Sequence, residues 1–343
     1  MSRQDTQKPE ELRVLAITRK PDSPSFEQRV LRFIEPLGKR GVEVQWRELP
    51  GGGREQRQLQ RQAREFDLIW WHRHLNPPTR TGRWRRAARR LVYDFDDPVF
   101  FSTHPGRIRG RISRRLKFAL WLRRCDAALP ANEYLAQWAR RYCRQVHVVP
   151  MAIDIGPPPS RQNRADGPAE LLWMGSRSTT KFLKGVLPSL EKLAEARGDW
   201  RLRLVGHERL NSTAVDVDFR QWSPQQQQAA LRECDIGLCP MPDNPWTRGK
   251  CPFKVLEYMA AGLPWVGSAV GELVTYAGKG DEARGLVAAD DEQWVSGLSK
   301  LLDDGALRSR MGKLGRSYVE HNHAREPLAD KLAELFRSIA AQG

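Results

Sequence analysis

Two short stretches carry residue types suited to handling a phosphate. Residues 249–272 read GKCPFKVLEYMAAGLPWVGSAVGE. Lys250 and Lys254 stand at the start of an expected helix, and Glu257 follows one turn later. Ala-Gly-Leu-Pro then ends the helix ahead of Trp265-Val266, and Gly271 precedes a second acid, Glu272. A helix N-terminus offers unpaired N–H groups and the positive end of a dipole, so an anion seats there, and an acid one turn further on can accept hydrogen bonds from sugar hydroxyls. Ordinary packing would account for Met259, Ala260, Gly262 and Pro264. It does not account for Lys250, Lys254 and Glu257 together. The second stretch is WMGSRSTTKFLKG, residues 173–185. A strand ends in Gly175, hydroxyl side chains follow, and Arg177 and Lys184 supply positive charge beside a helix start. Glycine lets backbone approach a ligand, and the charged groups suit an anion. A strand–Gly–helix turn alone is common in α/β proteins; here it lies about 75 residues ahead of Lys254.

These groups need a scaffold that brings both helix starts to one edge. Apolar runs read as buried strands at 13–18, 42–49, 66–72, within 88–97, at 125–132 and at 145–154. Helices are expected between them, at 26–37, 54–65 and 132–142. The Pro- and Gly-rich segment 156–170 reads as a linker. The pattern then restarts, with strands at 170–176, 200–206, 215–222, 234–241 and 263–268, and helices at 180–196, 224–233, 252–261 and 291–302. Two such series predict two doubly wound parallel sheets, with ligands outside the strand carboxyl ends.

The motifs closely resemble the donor site of nucleotide-sugar glycosyltransferases with the GT-B fold, the large retaining family often called family 4. The resemblance covers residues 130–343 well and 12–130 loosely. It implies two Rossmann-like domains facing across a cleft: an acceptor domain, 1–155, and a donor domain, 156–325, with the last helix, 326–343, packing back on the first. It implies Arg177 and Lys184 as the clamp on the donor diphosphate, beside Gly175 and with Ser176 and Lys181 as lesser candidates, and Arg177 and Lys254 as catalytic groups there. Glu257 stands for the glutamate that grips the ribose. The family usually places another glutamate at the position held here by Gly249, so the role at the donor sugar passes to Arg248 or Lys250, with Asp243 and Asn244 nearby. Gln221 and Trp222 lie where the base would sit; Trp222 either stacks on the base or packs in the core. Segment 132–154 resembles the end of the acceptor domain, and 301–323 the closing helices.

In the first half, LVYDFDDPVF (91–100) holds Asp94, Asp96 and Asp97 at a strand end. Metal binding, acid–base work, or helix capping and arginine pairing would each use such acids. By resemblance Asp96 stands where the family often places a catalytic histidine. His72 and His74 follow the third expected strand and either face the ligand edge or lie in a solvated loop.

Charge is uneven. Residues 1–155 hold 32 Lys and Arg against 17 Asp and Glu, a net of +15 of the chain's +16. That asymmetry suggests an anionic partner for the first half. Segments 79–90 and 106–125 are basic, and in the second Ile108, Ile112, Leu116 and Leu120 recur at helical spacing among arginines. This is the pattern of a helix on an anionic membrane surface; the alternative is a core-facing stripe with solvated arginines. No helix-turn-helix, zinc finger or RNA-binding signature supports nucleic acid. Five cysteines form no CxxC pair, no apolar run reaches a membrane span, and the start of the sequence is polar, so a cytoplasmic protein is expected.

Together these readings predict a cytoplasmic glycosyltransferase, peripheral on a membrane, that uses a nucleotide-diphosphate sugar and a glycan or lipid-linked acceptor, with no metal or cofactor. A catalytically silent GT-B assembly module is the alternative, and a basic nucleic-acid-binding protein is a third.

Overall fold

The computed structural model describes residues 11–101, 108–157 and 167–342, and gives only the backbone of 108–112. The chain divides into two compact units, residues 1–152 with 325–343 and residues 153–324.

Unit 1 is built on six parallel strands: β1 (Leu12–Thr18), β2 (Val42–Glu48), β3 (Leu68–His72), β4 (Arg90–Phe95), β5 (Ala127–Pro130) and β6 (Gln145–Val146), in the order β2-β1-β3-β4-β5-β6. Strand alternation sends neighbouring residues to opposite faces. Leu15, Ile17, Trp71 and Tyr93 pack one face with Trp84, Phe118 and Trp121. Val14, Ala16, Trp70 and Val92 pack the other with Phe26, Phe33 and the last helix, Arg325–Ala341, through Leu328, Leu332 and Phe336. Both faces are covered, which is why these strands read as continuous apolar runs.

Unit 2 repeats the plan with β7 (Ala169–Met174), β8 (Trp200–Gly206), β9 (Val217–Gln221), β10 (Ile236–Cys239), β11 (Trp265–Ser268) and β12 (Leu286–Ala288), in the order β12-β11-β10-β7-β8-β9, again parallel throughout. The chain winds from β7 outward through β9, then returns beside β7 and winds the other way. The reversal falls between β7 and β10; in unit 1 it falls between β1 and β3. A crevice opens at such reversals because the flanking connections leave in opposite directions. The fold is two doubly wound α/β sheets.

Several local expectations are corrected. The helix expected at 26–37 is three short pieces: Val30 leaves helical geometry (φ −128°, ψ −61°) with its side chain buried. The strand expected at 145–154 pairs with β5 only over Gln145–Val146; His147 and Val149 still donate to Ala128 and Pro130 at 3.0 Å, Pro150 has no N–H to continue, and Ile153 forms an isolated bridge with Ala324. The helix expected at 180–196 starts at Arg177 and breaks at Val186, with Pro188 in the first turn of the next helix, Leu187–Ala196. β12 and the helices Pro78–Ala87 and Glu272–Ala277 were not anticipated. Most of the expected linker, residues 158–166, lies outside the described residues.

Candidate functional site

The reversal point of unit 2 gathers most of the residues singled out in the sequence. β7 ends at Met174 and turns through Gly175 into the helix Arg177–Gly185. A Cβ on Gly175 would lie 2.6 Å from ring carbons of Trp173 and 2.7 Å from Thr179 Oγ1, so only glycine fits. The N-cap residue Ser176 makes no side-chain cap; its carbonyl instead accepts from Thr179 Oγ1 at 2.9 Å, and its hydroxyl lies 2.9 Å from that of Ser178. The helix Phe253–Ala260 follows Pro252 and is likewise uncapped by any side chain. Two helix starts therefore keep their N-terminal donors clear of side-chain acceptors, as anion binding requires.

Trp173 links the two. Its ring underlies Gly175, and Lys254 Nζ lies 4.7 Å from its centroid. Lys254 is half-buried and makes no ion pair among the described residues. Burial pulls its pKa below the ordinary lysine value, and Lys250 adds to that, while Cys239 and Glu257 oppose it. A cation held against its own desolvation is poised to gain from an incoming anion. Cys239, at the end of β10, is a buried thiol pushed up to about 11 by burial, so it serves as packing and not as a nucleophile.

Trp222, just past β9, settles one alternative: it is 40% exposed, not in the core. Its backbone N–H donates to Gly206 O at 2.8 Å, and the His207 ring flanks it at 5.8 Å between centroids. Its indole N–H donates to Gln227 Oε1 at 2.8 Å, and Gln227 Nε2 donates to Glu257 Oε1 at 2.6 Å. Gln227, His207 and Trp173 were not marked as site residues in the sequence. The only signal for Gln227 was its place in the first turn of the helix Pro224–Glu233, beside Trp222.

Other candidates already have partners. Lys184 pairs with Glu208 at 2.7 Å; both are exposed, and Lys184's hydrogen bond and charge hold Glu208 below the usual carboxylate range, with Arg177 adding to the effect. Arg177, Lys181 and Ser176 are exposed at the loop. Arg248 forms a double contact with Asp243, at 2.6 and 2.8 Å. Asn244 accepts from the N–H groups of Trp246 and Thr247 and so shapes the loop. Gly249 is buried, Lys250 half-buried and Cys251 half-buried. Gly271 has φ +53°, and a Cβ there would meet Arg248 O at 2.5 Å, which pins the two loops together.

In unit 1 the acids lie at the corresponding edge and pair with arginines, and His72 meets two hydroxyls. Asp94 is buried in an ion pair with Arg29 at 2.8 Å and accepts from Trp70 Nε1 at 2.8 Å. Burial nonetheless raises the Asp94 pKa. Arg29 also donates to the carbonyls of Val149, Pro150 and Leu129. His72 is the last residue of β3 and is buried, not a solvated loop residue; its ring nitrogens meet Thr18 Oγ1 at 3.3 Å and Ser25 Oγ at 3.0 Å. Burial drives its pKa down to about 3, so it is neutral. Arg73, the one non-glycine residue with positive φ among the described residues (56°), bridges Asp96 at 3.4 Å and Asp97 at 2.6 Å. Burial pushes the Asp96 carboxyl up, but the Arg73 charge and a Ser25 hydrogen bond outweigh it and hold Asp96 low. It is a carboxylate, able to accept a proton. Burial and the charges of Arg19, Lys117 and Arg80 lower His74 to about 4.

The basic segments divide. In 79–90, Arg85 pairs with Asp126 at 3.2 Å, Arg89 with Asp67 at 3.0 Å, and Arg90 donates to Ile339 O at 2.9 Å. In the helix Ile108–Leu122, Phe118, Trp121 and Leu122 face the core, whereas Leu116 is 52% exposed beside exposed Arg114 and Arg115. The Ile108 and Ile112 side chains of the expected stripe lie outside the described residues. Among the described residues no group of three or more His, Cys, Asp or Glu could hold a metal ion, and no helix is long and apolar enough to cross a membrane.

Residues 168–304 match the family model described as Glycosyl transferases group 1. No curated protein matches the sequence. Among solved structures, sucrose-phosphate synthase from Thermosynechococcus elongatus superposes with a TM-score of 0.74 at 15% identity, covering 97% of this chain and 100% of that one. Anabaena HepE, solved in complex with UDP-glucose, gives 0.67 at 13% identity, with 95% and 100% coverage. The lipopolysaccharide outer core galactosyltransferase WaaB, in its apo form, gives 0.63 at 12%, with 95% and 100% coverage. These likenesses establish the GT-B fold.

Proposed function

We propose that this chain is a glycosyltransferase that moves a sugar from a nucleotide-diphosphate sugar to a glycan or lipid-linked acceptor, with retention of anomeric configuration. One observation carries the reading: two uncapped helix starts, and a Lys254 with no ion pair among the described residues, meet on Trp173, inside the stretch that matches the glycosyltransferase model. The donor diphosphate sits over Gly175 and Ser176 with Lys254 and Arg177 as its cations, and Lys184 exchanges its contact with Glu208 for the phosphate. Trp222 stacks on the base and Glu257 grips the ribose. Arg248 and Lys250 border the sugar, in place of the glutamate that Gly249 lacks. As the bond from the sugar's anomeric carbon to phosphate oxygen breaks, that oxygen gains charge; the cations and helix starts stabilise it. The acceptor oxygen bonds to the same face of the anomeric carbon, and its proton passes to the departing phosphate. Asp96 is the acid–base candidate on unit 1. The reading needs no metal or cofactor. HepE's complex with UDP-glucose makes uridine nucleotides the first donors to test.

The test is release of nucleoside diphosphate from a panel of nucleotide sugars. Turnover with at least one donor is expected. Tight binding without turnover, with any glycan or lipid-linked acceptor, would favour the silent assembly module; neither binding nor turnover would end the donor reading.

Exposed Leu116 beside Arg114 and Arg115 favours a second element, peripheral docking of this cytoplasmic protein on an anionic membrane through 79–125. Each basic group near such a surface contributes on the order of 1 kcal/mol, screened by salt. Wild type should pellet with anionic vesicles at low salt, and an Arg114→Ser/Arg115→Ser variant should pellet less. Equal pelleting would remove the membrane from the account and favour a soluble acidic acceptor.

A further inference from the structure

We infer that Gln227 is a positioning residue that joins the base platform and the ribose grip into one unit, an inference that rests on the donor-site reading above. Trp222 is exposed, yet its indole N–H is committed to Gln227 Oε1 at 2.8 Å rather than left to water. The other end of the same amide donates to Glu257 Oε1 at 2.6 Å. The order of atoms is forced. An indole N–H only donates and a carboxylate only accepts, so the group between them must accept at one end and donate at the other. A glutamine does both; an ionised glutamate would accept from Trp222 but set its charge against Glu257.

The surroundings fix this amide. Ser223 Oγ accepts from Gln226 N at 3.2 Å and caps the helix Pro224–Glu233, which sets the first turn that carries Gln227. The Trp222 backbone is tied to Gly206 O, and the His207 ring flanks its indole. Glu257 lies in the helix that begins with Lys254's turn. Gln227 therefore couples three separate elements: the end of β9, the helix after it and the phosphate helix. Rotation of the Trp222 ring displaces the amide, and displacement of the amide unseats Glu257. A base stacked on Trp222 holds the carboxylate in place for the ribose diol. The unit recognises a nucleoside joined to a diphosphate, and Gln227 contributes nothing to a bare diphosphate.

Calorimetry on the full chain tests this with UDP, GDP, ADP and inorganic pyrophosphate as probes. Gln227→Leu should weaken the tightest nucleotide roughly tenfold, the loss of a charge-assisted hydrogen bond. It should leave pyrophosphate affinity within about twofold, which also reports that the variant is folded. Trp222→Leu/Gln227→Leu should bind that nucleotide no more weakly than Trp222→Leu alone, because coupled residues are not additive. Gln227→Glu should bind poorly at pH 8 and recover towards pH 5, where a protonated carboxyl accepts and donates as the amide does; a merely structural defect would not titrate. Unchanged nucleotide affinity in Gln227→Leu, equal losses for nucleotide and pyrophosphate, additive losses, or a Gln227→Glu variant indifferent to pH would each overturn the inference alone. Folded wild type that binds none of the nucleotides would overturn the donor reading and this inference with it.

Discussion

The two sheets reverse their winding at the same kind of place and fill it in opposite ways. At the β1–β3 reversal of unit 1, charges are closed on each other: Asp94 with Arg29 and Trp70, Asp96 and Asp97 with Arg73, and a neutral His72 between two hydroxyls. At the β7–β10 reversal of unit 2, Lys254 rests on the Trp173 ring with no carboxylate paired to it among the described residues, in the first turn of one of two helices whose N-cap side chains make no cap. The topology supplies a crevice in both cases. Whether that crevice is a brace or a receptor depends on whether its charges are compensated from within. In unit 1, Asp94 and Arg29 hold connections in place. In unit 2, Lys254 has no ion-pair partner among the described residues.

The comparison breaks first at Asp94. Its loss would leave Arg29 buried and unpaired, a change that typically costs about 3–5 kcal/mol. Asp94→Ala should lower the thermal midpoint steeply, or prevent folding of unit 1. A midpoint within a few degrees of wild type, by calorimetric scan, would show that the buried pair is not the brace described.

Lys254→Met should do the reverse. Burial already disfavours the charged form, so removing it should leave the midpoint unchanged or raise it. Transfer should fall by about two to three orders of magnitude, as when a transition-state electrostatic contact is lost. Near-normal turnover with a verified donor, or a large drop in midpoint, would place Lys254 among the structural groups and erase the contrast between the units.

The smallest effect is the pH dependence of unit 1. His72 has a folded pKa of about 3 against an ordinary 6.5. The unfolded chain therefore binds the extra proton first as pH falls. The stabilisation is fully present above about pH 6.5 and is lost progressively down to about pH 3, at up to about 1.4 kcal/mol per pH unit. His74, lowered to about 4, acts in the same direction over part of that range. Urea unfolding at a series of pH values should show this slope, and His72→Gln should reduce it by about one proton. An unchanged slope in the variant would mean that His72 is not buried in its neutral form.

Much of this was legible in the sequence, and the reason is range. Runs such as LLWM and LIWW declare buried strands by composition and length alone, and Gly, Pro and the lysines mark turns and helix starts within a few residues. Two such series were enough for the fold class. The failures were also local. A helix was read straight through Val30 and Val186, and β12 is only three residues long, too short to show a period.

What the sequence could not determine was which charge meets which. Lys254 lies 81 residues from Trp173 in the chain, and Gln227 lies 30 from Glu257, yet each pair is in contact. Asp94, Asp96 and Asp97 looked like one acidic cluster, but Asp94 lies within β4 and pairs with Arg29, whereas Asp96 and Asp97 follow the end of the strand and pair with Arg73. His72 and Trp222 were ambiguous for the same reason: burial belongs to the assembled surface and not to the residue. Sequence settled the elements, because propensity and periodicity act over a few residues. Only the tertiary structure decided which polar groups are paired and which are not, because that depends on partners the chain brings together from far apart.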